Sequence, residues 1–138
     1  VSFDSMVAGG DLHASDGAVG VMVWLTDNEA TDDGGEFELW SVAPPTGMSP
    51  AEYEGGAVNL AADPRIVSVL NQPGTTTARV AHRSNRMVVF DASLLRQTAG
   101  LAYQPGFSRR RTVLTFIFGR SGQTCADAAA AHEDALHE

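Results

Sequence analysis

The side chains able to carry chemistry are few and scattered. His82 stands just ahead of an apolar stretch and could act as a general base, yet no nucleophile or acid lies at a diagnostic spacing around it. Ser121 and Cys125 lack the local context of an activated nucleophile, so a hydrolase built on either has no support. The pairs Gly9-Gly10, Gly34-Gly35 and Gly55-Gly56 match no phosphate-binding loop and read as turn glycines. Cys125 is the single cysteine, so it forms no internal disulfide, and no cluster has the spacing of structural zinc. Trp24 and Trp40 read as core residues rather than as a ligand platform.

The elements that must position these residues are mostly short strands. Apolar, β-branched and aromatic stretches alternate with turn residues, as in antiparallel sheets. Val19–Thr26 is a candidate buried strand. Glu36–Trp40 alternates with period two, which points Phe37 and Leu39 to one face. The polar loop Asp27–Gly35 between them ends in two glycines, as a hairpin requires. Arg65–Leu70 and Thr77–Ala81 read as further strands, and Arg86–Phe90 and Thr112–Phe118 carry the strongest β signals. Pro50–Glu54 fits one helical turn, with Ser49 as N-cap and Pro50 at the first helical position. The segment Ala126–His137 has helical propensity but only one large apolar residue, Leu136, and reads as a frayed helix or an extension that orders on a partner. The expectation is an all-β domain over residues 1–120 with seven or eight strands, a sandwich or jelly roll, followed by an acidic, alanine-rich tail over 121–138.

Charge narrows the partners. The chain of 138 residues carries a net −8, which argues against nucleic-acid binding, and no apolar run approaches a membrane span. Every basic residue is an arginine. Residues 1–64 hold twelve acids and no base, residues 65–120 nine arginines and one acid, and residues 121–138 four acids. Segments of −12, +8 and −4 predict partial pairing inside the fold. They also predict self-association, or a protein partner, through acidic and basic faces.

Three stretches in order resemble the catalytic core of prolyl-hydroxylase-like 2-oxoglutarate/Fe(II) oxygenases. Gly10-Asp-Leu-His-Ala-Ser-Asp16 resembles the family's glycine-led metal segment. Val23-Trp-Leu-Thr26 with Gly34–Trp40 is similar to the strand–loop–strand that follows it. Asn85–Phe90 through Arg111–Thr115 resembles the segment with the second metal histidine and the arginine that pairs with 2-oxoglutarate. The resemblance covers roughly residues 6–118 and implies a double-stranded β-helix. The family has helices and a strand ahead of the metal segment, and their absence here implies exposed apolar surface or a partner that covers it.

The family chemistry needs two imidazoles and one carboxylate on one face of the iron. A gapless match places Asp16 at the carboxylate and Ala14 at the first histidine; the second histidine is expected five to eight residues after Phe90, in the window 95–98, where Arg96 takes its place. Alanine has no donor, and a protonated guanidinium repels a cation. His13 is one residue off, so only a local bulge brings it round to the site. The vestigial metal set is therefore Asp16 with His13, and an Arg96–Asp16 ion pair is expected to fill the old cavity. Arg111 survives as a potential clamp on a dicarboxylate cofactor. The resemblance then implies a domain that has lost catalysis and serves in binding or structural assembly, with no cofactor expected. The alternative is an active hydroxylase of protein side chains using Fe(II) and 2-oxoglutarate through Asp16, His13 and a third ligand.

Overall fold

The computed structural model describes residues 6–7, 10–54, 59–99, 101–103 and 112–119. These form strands β1 (Met6–Val7), β2 (Gly10–His13), β3 (Val19–Trp24), β4 (Thr31–Gly34) and β5 (Phe37–Trp40), then β6 (Thr77–Val80), β7 (Met87–Asp91), β8 (Arg96–Thr98), β9 (Leu101–Tyr103) and β10 (Val113–Phe118). Two short helices, α1 (Pro50–Tyr53) and α2 (Pro64–Leu70), lie between β5 and β6. The fold is mostly antiparallel β-sheet with little helix, the class the alternating pattern predicts. No helix among the described residues is long and apolar enough to cross a membrane.

Three sheets form: β2-β8-β5-β6, β10-β3-β7, and the small β1-β9-β4. The chain changes sheet repeatedly: β2, β5, β6 and β8 lie in the four-stranded sheet, while β3, β7 and β10 lie in the second. This corrects one expectation. The strands at 19–24 and 37–40 are not a hairpin, since β3 pairs with β7 and β10 while β5 pairs with β6 and β8. The glycine pair does turn the chain, with φ of 89° at Gly34 and 73° at Gly35, but it joins β4 to β5.

The two larger sheets share a core of Met22 and Trp24 from β3, Phe90 from β7 and Phe37 from β5. Phe37 and Phe90 meet at 5.0 Å between ring centres. Each such side chain taken from water stabilises by roughly 1.5–3 kcal/mol. Gly20 makes this packing possible: a Cβ there would lie 2.3 Å from the Phe90 ring.

A second core joins Leu12, Ala14 and Leu95 to Leu60 and Ile66. Here the segment at 65–70, expected as a strand, is helix α2. Asp63 caps it by accepting from the Arg65 amide at 2.8 Å, and Pro64 occupies the first turn. Ile66, Val69 and Leu70 recur at helical spacing and face this core, which offsets the weak helical propensity of valine and isoleucine. Helix α1 matches its expectation, with Ser49 and Glu52 forming a reciprocal capping box. The segment 121–138 lies outside the described residues.

Candidate functional site

Arg96, the first residue of β8, is 3% exposed. Its neighbour Leu95 faces the α2 side, so alternation turns Arg96 toward the space between the two large sheets. There the guanidinium carbon lies 5.1 Å from the centre of the Phe90 ring. Nη1 donates to the Ala92 carbonyl at 2.7 Å and Nη2 to Ser15 Oγ at 2.6 Å. The Ala92 carbonyl also accepts from the Ser15 amide at 2.9 Å, which closes a ring between the β2–β3 connection and the β7–β8 turn. Burial pushes the Arg96 pKa down to about 10, opposed by the charge of Glu54, and the side chain stays cationic at neutral pH.

His13 pairs with Arg96 across the β2–β8 ladder. The ladder slips between Gly10 and His13, so β2 has a bulge. Leu12 and Ala14 pack into the α2-side core, and His13 between them points the other way, toward Arg96. Gapless matching had put Ala14 in the site; the fold puts Ala14 in the core and His13 on the site side. His13 Nδ1 lies 2.7 Å from the Asp11 carbonyl, which fixes it as the donor. Burial lowers the His13 pKa below 6.5; the Asp11 carbonyl opposes this and the Arg96 charge adds to it.

Asp16 does not fill the cavity. It is exposed, and its amide donates to Glu54 Oε1 at 2.9 Å. The expected Arg96–Asp16 ion pair is absent: the ion pairs among the described residues join Arg65 to Glu52 and Asp63, and Arg79 to Glu38. The serine hydroxyl and a carbonyl suffice for Arg96, so the acid is left at the surface. Burial raises the Tyr53 pKa, with the charges of Asp16 and Glu54 adding to the effect. Arg111 lies outside the described residues, as do Ser121 and Cys125. His82 packs edge-on against Trp24 at 6.0 Å.

These residues do not fit a 2-His-1-carboxylate iron centre. One imidazole faces the space, a buried cation stands at the position the resemblance gives to the second, and Asp16 is exposed. Among the described residues no three His, Cys, Asp or Glu side chains gather in a metal-binding group. Sequence reasoning missed Ser15, Ala92 and Phe90 as the residues holding Arg96. The resemblance points to Asp16 as the partner of Arg96, and the structure places the Ser15 hydroxyl there instead.

Two further surface features lie on the described residues. A shallow pocket of about 200 Å³ is lined by Ser15, Pro44, Pro45, Met48, Tyr53 and Ser93 among others. The outer face of β10-β3-β7 is apolar and open: Met87 is 63% exposed, Val89 59% and Phe118 54%. No protein-family model, curated protein or solved structure matches the chain.

Proposed function

We propose that this chain is a 2-oxoglutarate/Fe(II) oxygenase-like double-stranded β-helix that no longer catalyses and serves as a binding or assembly module. The jelly-roll reading is supported by the strand order, because the chain passes back and forth between β2-β8-β5-β6 and β10-β3-β7. The non-catalytic reading rests on Arg96. A buried guanidinium, already committed to Ser15 and Ala92, occupies the inter-sheet space where the resemblance calls for an imidazole. Divalent iron next to it would meet a fixed positive charge in a medium that screens poorly. The open apolar face of β10-β3-β7 supports a role in association.

The bulge in β2 favours one rival reading, an active hydroxylase, because it returns His13 to the inner side. One assay separates the two. The purified protein is expected to bind no stoichiometric Fe(II) or Mn(II) and to leave 2-oxoglutarate intact. Succinate release above background, abolished by His13→Ala or Asp16→Ala, overturns the non-catalytic reading.

A further inference from the structure

We infer that the outer face of β10-β3-β7 is the contact surface for a second copy of this chain, the two sheets packing face to face about a two-fold axis. This deepens the assembly reading above and rests on it.

The ladder registers determine which side chains share the face. Phe118 stands opposite Val19, Phe116 opposite Val21 and Leu114 opposite Val23, with Met87 and Val89 on the far side of β3. Inward positions alternate with these and include the buried Met22, Trp24 and Phe90. Val19, Met87, Val89, Leu114, Phe116 and Phe118 are each 41–63% exposed. Phe116 and Phe118 stack with ring centres 6.3 Å apart, forming an aromatic ridge. Aromatic side chains held in this way are the usual anchors of protein interfaces.

Area favours a large flat occupant. At these exposures the six side chains present on the order of 600 Å² of surface, the upper limit for a patch on a monomer, and a stable interface takes about 800 Å² from each partner. Two sheets packed at about 10 Å cover such a face completely. Pairing of β10 edge to edge would extend the sheet but leave the apolar face in water.

Charge favours a second copy. The chain carries −8, yet within the three strands the only ionisable residue on the outer face is Asp91, at the end of β7. Asp91 is already engaged with the amide and hydroxyl of Ser93. An isologous contact sets like against like, and this is a surface that can meet its own image without repulsion at its centre. The repulsion that remains is long-range, between two molecules of like net charge. Salt shortens the Debye length from about 10 Å at 0.1 M to about 3 Å at 1 M, so the dimer should hold or tighten with salt.

Sedimentation of the full chain over a concentration series, at both salt levels, tests this. The expected result is a species of twice the monomer mass that persists at high salt. Phe116→Asp and Val89→Asp should each return a folded monomer, while Val67→Asp, on exposed α2, should leave the dimer intact. If a face variant loses its β-sheet circular dichroism, amide exchange of the unaltered chain replaces it: protection in β7 and β10 should rise with protein concentration. A monomer at high concentration, a dimer dissolved by 1 M salt, a dimer indifferent to the face variants, or concentration-independent exchange overturns the proposal. A monomer that also leaves 2-oxoglutarate intact spares the non-catalytic reading, and a dimer that releases succinate spares the contact and removes that reading.

Discussion

Arg96 Nη2 donates to Ser15 Oγ over 2.6 Å, a bond between residues 81 apart in the chain. It ties the exit of β2 to the entry of β8 and gives a buried cation a neutral partner. Such a donor left unpaired loses more than the bond itself is worth, because its desolvation stays uncompensated.

Ser15→Ala should therefore destabilise the protein by about 1–2 kcal/mol, since it strands a charged donor. In an Arg96→Met background the same change should cost close to nothing. Arg96→Met alone should be tolerated, because an apolar chain of similar volume on Phe90 removes a buried charge. Urea unfolding of the four proteins gives the coupling directly. Equal effects of Ser15→Ala in both backgrounds would show the bond to be energetically idle.

His13 adds a pH dependence whose sign follows from its lowered pKa. Above about 6.5 the imidazole is neutral in both folded and unfolded chains, and its contribution is constant. As pH falls below that value the unfolded chain takes up the proton first, so stability is lost until the folded pKa is passed. The drop in stability between about pH 7.5 and pH 5.5 should be smaller for His13→Gln than for the native chain. Parallel curves for the two proteins exclude a role for His13.

Gly20→Ala should cost about 1–3 kcal/mol, because its methyl group must enter space held by the Phe90 ring. Phe90 cannot retreat freely, with Phe37 on one side and the Arg96 guanidinium on the other. Shortening the ring should relieve the clash, so Gly20→Ala combined with Phe90→Leu should lose less than the two single losses added. Thermal midpoints of the three variants are sufficient to see this.

Alanine substitution along 66–70 distinguishes helix from strand. Ile66→Ala should cost about 2–5 kcal/mol, and Val67→Ala, at an exposed position, within about 0.5 kcal/mol. Losses at Ile66, Val69 and Leu70 that spare Val67 follow the helix, whereas a strand would place Val69 on the exposed face with Val67. A heavy loss at Val67 contradicts it.

The β class was legible in the sequence because β3, β7 and β10 are runs of valine, phenylalanine and isoleucine that suit little else. Helix α2 was misread because Ile66, Val67 and Val69 favour strands locally, while the Asp63-Pro64 cap and the spacing of 66, 69 and 70 carried the correct signal. Strands β2 and β8 were harder still. Gly-Asp-Leu-His and Arg-Gln-Thr have no β-branched apolar residue; they pair with each other, and β8 is held on its other edge by β5. The candidate site inherits that difficulty. Which way His13 points depends on a bulge, and the burial of Arg96 depends on Phe90, Ala92 and Ser15 arriving from elsewhere. Composition alone predicted that acidic and basic segments would pair in part, and Glu38 does meet Arg79 across β5 and β6 at 2.9 Å.

The central place of β3 between β7 and β10 has a kinetic consequence. Its two neighbours lie far downstream, and β2 must likewise wait for β8. During synthesis residues 1–64 therefore emerge before the strands that pair with β2 and β3, and closing such distant loops is slow. Those same residues hold twelve acids and no base. Mutual repulsion among these acids opposes collapse and self-association of this segment until the arginine-bearing segment follows it.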